Sequence, residues 1–599
     1  MKLRSTLLGS AITLALSGLL TVSAAQASNA ELSSVPVSKF GIGSSGTTAT
    51  FSGGITNNGG ASFLQEIPAN TSADFQARIN VAAADIGKTA GLMMVLRVSD
   101  SGGTGWFQRA PSGEFVSWDT KVGSLASFET RNLQALETVN VSAIAKPGDN
   151  LEGTEISVFF AYQVAGEPMT YSFNPVRLNV AQTPASTCPA GTTFTPAVVL
   201  GGKNLCVLSG TYTEDLHLTS NFDYVLSGAV FIGGDNTNSA ELTIDAGITT
   251  FGESGSDFLV INRGSKIHVN GTPNKPVTMT SANDATATSS TRGQWGGIII
   301  NGNAPINGCS TGTVLCEAQG EGSTGLFGGN DAEDDSGNLN YLVVKYAGFQ
   351  ITQDNELNGI ALQGVGSKTL IDYAQVHNNA DDGIEFFGGT ANARHLVLTG
   401  NSDDSLDWTL GWRGKVQYAV VFQTDVGDQG IEADNNASNR DSLPRSQPQI
   451  SNISMIGNID TDVGMLLREG TGGNISNAVV SGFGEGCVDI DQSATFINAG
   501  TSATELSGGL TLTNTLFDCD INFIVDSDDG WSVEAWFNNQ ADNTLGTASF
   551  TNTFVNTSAI NAFPAAQQTD NFFDQTDYIG GIKDTTSDWT SGWIFIDWE

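Results

Sequence analysis

The chain has 599 residues, with 63 Asp and Glu against 25 Lys and Arg and a formal net charge of −38. Such a charge repels nucleic acid and anionic lipid and favours cations. The length calls for at least two domains, and 71 Gly against 15 Pro point to many turns and exclude a collagen-like or disordered chain.

Lys2 and Arg4, the apolar run from Leu7 to Val22 and the small residues of Ala25-Gln26-Ala27 read as a secretory signal peptide over residues 1–27. No Cys stands at the cleavage point for a lipid anchor. No later stretch has the ~20 apolar residues of a membrane-spanning helix, so no transmembrane segment is expected after cleavage. Losing two cations with the leader takes the charge to about −40. Many carboxylates then lack a Lys or Arg partner, and outside the cell Ca2+, which takes six to eight oxygen ligands, is the expected substitute.

Residues 28–180 alternate with period two. Phe75, Ala77, Ile79 and Val81 do so, as do Val139, Val141 and Ala143, and residues 156–164 read as a buried strand. The expectation is a β-sandwich. A polar linker follows at 181–190. From 191 to 560 short apolar runs recur, each closed by Gly, Asn or Asp. Similar strands begin near Leu339, Leu370, Ala393, Val416, Ile450 and Ile475. Spacings with a minimum near 23 predict a right-handed parallel β-helix, with the longer gaps leaving as loops. Residues 561–599, with Trp589, Trp593, Phe595 and Trp598, read as an aromatic cap on the end of the helix. The fold class is thus all-β: sandwich, β-helix, C-terminal cap.

Six Cys fall into three local pairs: Cys188 with Cys206, Cys309 with Cys316, and Cys487 with Cys519. Disulfides suit an exported chain. This is the most local of 15 pairings.

Aligning coils brings Asp381-Asp382-Gly383-Ile384-Glu385 over Asp403-Asp404-Ser405-Leu406-Asp407 and over Asp428-Gln429-Gly430-Ile431-Glu432. Ile384, Leu406 and Ile431 share an inward column, which puts Glu385, Asp407 and Glu432 in an outward one. Ala361 and Leu466 end that column. Carboxylates ~4.8 Å apart repel each other, and three explanations fit them: a solvated acidic face, a calcium ladder, or paired carboxylates for glycoside cleavage. Candidate metal ligands are Asp382, Glu385, Asp404, Asp407 and Glu432, with Asp331, Glu333 and Asp335 in a second acidic loop. Asp526, Asp528 and Asp529 form a third. If the chain is an enzyme, Asp403, Asp404 and Asp407 carry it. Asp403-Asp404 resembles the paired aspartates of the polygalacturonase family, but the Gly-His-Gly segment of that family is missing. A lyase of the pectate type needs a base, and Arg394, Arg413, Lys415 and Arg468 are the candidates. His377 and His395 read as structural.

Residues 292–302, 354–366, 381–390 and 571–580 resemble a family of secreted β-helix-like proteins of Gram-negative bacteria, many of them marine. The resemblance includes a marine branch of surface-layer proteins. It implies a structural, non-enzymic cell-surface role on the outer face of the outer membrane. Copies would self-assemble into a lattice with calcium support, held by lipopolysaccharide or a surface polysaccharide. A polysaccharide lyase or glycoside hydrolase, and a glycan-binding adhesin, are the alternatives.

Overall fold

A computed structural model of the chain describes residues 33–597 except 36, 41–46, 69–70, 101–102, 147–150, 152, 173–174, 181–186, 200–202, 311, 353–355, 425 and 528. The signal peptide, most of the linker, Asp528 and Trp598 lie outside the described residues. Two compact units divide at Thr183/Pro184.

The first unit stacks two largely antiparallel sheets. One runs Ser33–Val35, Thr50–Thr56, Ala73–Asn80, Leu136–Ala145; the other is built round Thr89–Asp100 and Glu155–Val164. Their facing residues, Phe51, Phe75, Leu92, Met94, Phe160 and Tyr162 among them, form one core. The period-two alternation predicts this, because alternate side chains of a strand face the opposite sheet.

The second unit is a β-helix of 25 described strands joined in one continuous path, parallel throughout except for its opening hairpin. In its second half each coil carries a short strand and a long, bent one. The short strands Ile360–Gln363, Ile384–Phe387, Leu406–Thr409, Ile431–Ala433 and Val463–Leu467 stack in parallel. The long strands bend at one residue in the left-handed region. Tyr341, Tyr373, His395, Tyr418, Asn452 and Asn477 hold this corner in successive coils, with φ between 48° and 64°. The corner rings stack on each other, Tyr341 on Tyr373 at 4.3 Å and Tyr373 on His395 at 4.2 Å.

Two expectations shift. Leu339 pairs with Ile371, not Leu370. Adjacent apolar residues left a one-residue ambiguity, and Leu370 is the exposed member. The C-terminal segment is also not an end cap. It runs back along the flank of the β-helix as a strap, held by amides of the long strands. Asn514 donates to Pro564 O, and Asn477 exchanges bonds with Ala566. Gln417 does the same with Asp574, and Gln375 with Phe595. The end of the helix is closed instead by the short helix Val533–Asn539. Its Ser532 cap accepts from Ala535 N, and its Trp536 and Phe537 are fully buried in the main core.

All three disulfides form as the local pairs. Cys188 joins Cys206 with a Cα separation of 5.8 Å, Cys309 joins Cys316 at 5.6 Å, and Cys487 joins Cys519 at 5.6 Å. The pairing holds, but these residues are core rather than functional-site positions. Cys206 and Cys487 lie fully buried in the main core of the β-helix, and Cys316 is buried in a smaller cluster with Ile306 and Phe327. Their sulfurs replace apolar side chains as packing groups while tying a surface segment to the coils.

Candidate functional site: a buried ladder of carboxylates

The register sets Ala361, Glu385, Asp407, Glu432 and Leu466 side by side on neighbouring short strands. Ile384, Leu406 and Ile431, one residue earlier, enter the hydrophobic core, so the acidic column is fixed on the outer face. The glycines before it are required by the stacking. A Cβ at Gly383 would lie 2.6 Å from Ser405 O, and one at Gly430 2.6 Å from Gly464 O.

The outer face is nevertheless not solvated here. Asp382, Glu385, Asp404 and Asp407 are each only 4–7% exposed, which excludes a solvated acidic face for these four. The oxygens of Asp382, Glu385 and Asp407 gather within 4.8 Å of one another, as do those of Asp381, Asp382 and Asp403. Asp382 Oδ1 accepts from Asp404 N at 3.0 Å, and Asp404 Oδ1 from Gln429 N at 2.8 Å. Glu385 accepts from Asn358 Nδ2 at 2.6 Å. Asp407 Oδ1 and Asn358 Oδ1 are buried without a hydrogen-bond donor.

Burial, reinforced by neighbouring negative charges, pushes Asp382, Glu385, Asp404 and Asp407 well above the usual carboxylate range. Burial also lifts Asp381 to about 8. At the far side Arg468 binds Glu432 at 2.7 Å and Asp434 at 3.0 Å. Desolvation still raises Glu432 to about 7 and Asp434 to about 6, with the arginine opposing it.

A second column lies in the turn. Asp381, Asp403, Asp428, Asp462 and Glu485 each stand three residues before a paired strand residue: Ile384, Leu406, Ile431, Met465 and Val488. Backbone bonds link Asp428 N to Asp403 O, Asp462 N to Asp428 O, and Glu485 N to Asp462 O. Sequence alignment missed Asp462 and Glu485, because the 34-residue coil between Ile431 and Met465 hides the repeat. It also missed Asp434. A cavity of about 460 Å³ lined by Phe349, Gln350, Glu356 and Ala380 opens next to Asp381.

Other expected site residues are not brought together. Asp335 pairs with Lys266 at 2.5 Å, Glu333 with Lys368 at 3.1 Å, and Asp331 caps Glu333 N, so this loop does not converge on an ion. A metal-ligating role for Asp331, Glu333 and Asp335 is therefore corrected: local lysines and the turn take their oxygens. Asp526 does gather, with Asp489 and Asp491. Arg394 and Lys415 are tied to Asp574 and Asp570 of the strap, and Arg413 is exposed. His377 is buried between Thr399 and Asp597, and His395 is stacked in the corner column, so both are structural.

Residues 210–594 match the family described as pectate-lyase like β-helix domain. The chain belongs to that family, which makes it a right-handed β-helix protein. No curated protein matches it. Among solved structures it is similar to the catalytic unit of a thermostable GH87 α-1,3-glucanase from Streptomyces thermodiastaticus. That match is 11% identical, covers 86% of this chain and 97% of that one, and has a TM-score of 0.29. A variant GH87 α-1,3-glucanase catalytic domain in complex with tetrasaccharides matches at 10% identity over 86% and 99%, with a TM-score of 0.19. At TM-scores this low neither carries weight for this chain.

Proposed function

We propose that the chain is a glycan-cleaving enzyme of the β-helix type, a glycoside hydrolase working outside the cytoplasm, with the carboxylate ladder as its active site. One observation carries this: the ladder places an acid without a cationic partner beside a carboxylate held by arginine. Asp407, desolvated and hydrogen-bonded to Glu385 rather than to a cation, holds its proton more tightly than an ordinary carboxyl and is the general acid. Glu432, bound by Arg468, is the carboxylate that ionises first and acts as nucleophile or base. They stand in register on adjacent strands, whose ~4.8 Å spacing puts the two side chains on one face, as the paired carboxyls of a glycosidase must be. Asp404 and Asp382 hold the turn backbone around them. Hydrolysis is favoured over elimination because three of the four candidate bases, Arg468, Arg394 and Lys415, are each engaged by carboxylates, and the fourth, Arg413, is an exposed surface residue. The family name supports a polysaccharide substrate. Purified protein should release reducing ends from one member of a polysaccharide panel. Asp407→Asn and Glu432→Gln should each reduce the rate by roughly a thousandfold. A wild-type chain that releases nothing from the panel sinks the reading.

A second reading, a calcium site, has its own support. The gathered oxygens of Asp382, Glu385 and Asp407 and the undonated Asn358 Oδ1 form a hard-oxygen set of the kind Ca2+ takes. Calorimetric titration with Ca2+ tests it, and no heat of binding, or binding unchanged in Asp382→Asn, rejects it. The surface-coat role, with copies of the chain as partners and lipopolysaccharide or a surface polysaccharide as anchor, draws its support from the leader, the charge and the resemblance. Buried carboxylates serve no lattice contact. Electron microscopy of cells with and without a chelator tests it, and an ordered coat that dissolves on chelation would replace the enzymatic reading.

A further inference from the structure

The sandwich unit carries a cavity that the ladder does not explain. Strands Thr89–Asp100, Gly103–Arg109, Glu155–Val164 and Met169–Ser172 belong to one sheet. Their inward residues fill the sandwich core, and their outward residues Met93, Trp106, Phe159, Ala161, Met169 and Tyr171 should meet water. Instead the segment from Trp118 to Leu125 folds back over them and partly roofs an open-mouthed cavity of about 340 Å³. Met93, Ala161 and Met169 are buried there with Leu125 and Tyr171 packed against them, and Trp106 meets Trp118 edge to face at 6.2 Å.

The chemistry of the wall selects the occupant. No charged side chain lines the cavity, although the chain has 88 charged residues, so an ionic headgroup finds no partner inside. A sugar would need planar donors and acceptors beside the rings. No carboxylate, amide or guanidinium is present, the Trp118 indole N–H is already spent on Lys121 O and Ser124 Oγ, and the remaining polar groups are the Thr120 and Tyr171 hydroxyls and the Trp106 indole. Two of the seven methionines, Met93 and Met169, face this one cavity, and their unbranched, polarizable chains fit a flexible apolar ligand better than a rigid one. The volume falls at the small end of ligand pockets, ~300–1,000 Å³, too small for a partner protein's surface and suited to a single alkyl tail. We infer that this cavity is a binding site for one linear aliphatic chain, as in an acyl tail, entering beneath the Trp118–Leu125 segment. The inference is independent of the enzymatic reading.

The experiment uses the full chain and a homologous series of 1-alkanols from hexanol to decanol, followed by titration calorimetry. Each added methylene should tighten binding about fourfold, until the cavity is full. Ala161→Phe fills the cavity from the sheet side, and Val122→Asp places a charge on the covering segment at an exposed position. Each should weaken 1-decanol binding at least tenfold while the thermal transitions stay in place. Absence of saturable 1-decanol binding overturns the inference, as does affinity flat across the series. Binding untouched by both substitutions places the alkanol elsewhere and overturns it too. Saturable binding of a neutral oligosaccharide that 1-decanol cannot displace would make this a glycan site instead.

Discussion

Replacing Asp407 by Asn should stabilise the β-helix unit at neutral pH in the absence of divalent cations. Asp407 is buried between Glu385 and Glu432, and burial is the first cause holding its carboxyl far above the ordinary carboxylate range. In the folded chain it therefore releases its proton at a higher pH than in the unfolded chain. The sign follows from linkage. Between pH ~4 and the raised folded pKa the native state binds more protons than the unfolded state, so stability falls as pH rises. Holding that proton costs about 1.4 kcal/mol for each pH unit above the unfolded-state value over which the carboxyl stays protonated. Asn has the same shape and needs no proton. Any packing or hydrogen-bond penalty of the amide is the same at every pH. The difference between the effect of the substitution at pH 7 and at pH 4.5 isolates the cost of the proton, about 1.4 kcal/mol for every pH unit of that interval over which the carboxyl stays protonated. Differential scanning calorimetry in a chelating buffer measures it, as a transition raised at pH 7 and little changed at pH 4.5. With Ca2+ in excess the gain should shrink or reverse, because the cation replaces the proton. An effect of Asp407→Asn that is equal at both pH values would refute the reasoning, since it would mean Asp407 ionises in the fold as freely as in the unfolded chain.

Arg468→Met should raise the pKa of Glu432 and Asp434, because the guanidinium opposes their desolvation; the acid limb of a pH–rate profile should move to higher pH, and an unmoved limb would deny Glu432 its role. Replacing both Cys487 and Cys519 by Ala opens a 32-residue loop and should cost about 3–4 kcal/mol, read as a lowered thermal transition of the β-helix unit under non-reducing conditions. Trp536→Ala, at the helix that closes the end of the stack, should cost about 3–5 kcal/mol and expose apolar coil edges, detected as dye binding and aggregation on warming. Gln417→Ala removes both bonds to Asp574 and should speed amide exchange over residues 566–580 while leaving the coils protected; unchanged exchange would mean that the strap is held elsewhere.

The sequence determined a good deal by itself. Period-two alternation gave the sandwich and its core residues, except that a bulge after Val141 leaves Ala143 exposed and turns Ile144 and Ala145 inward. The coil spacing gave the β-helix, because each coil must bury its Ile384-, Leu406- or Ile431-type residue against the next. The same alignment put Glu385, Asp407 and Glu432 in one column, since parallel strands stack in register. Local cysteine spacing gave the three disulfides, although not the burial that makes Cys206 and Cys316 part of the packing. What it could not supply is what lies over a column. The outward direction of Glu385 follows from alternation, but its burial depends on segments far away in the chain, such as Asn358 and the region around Glu321. Tertiary structure alone excluded the solvated face among the three explanations open for Asp382, Glu385, Asp404 and Asp407 and made them a desolvated ladder, where the dielectric decides which carboxylate holds its proton most tightly. It alone assigned Lys266 and Lys368 to Asp335 and Glu333 and so removed that loop as an ion site. It also turned the aromatic C-terminus from an end cap into a flank strap, because Gln375, Gln417 and Asn477 point their amides out of the coils, and no local pattern records which backbone those amides will meet.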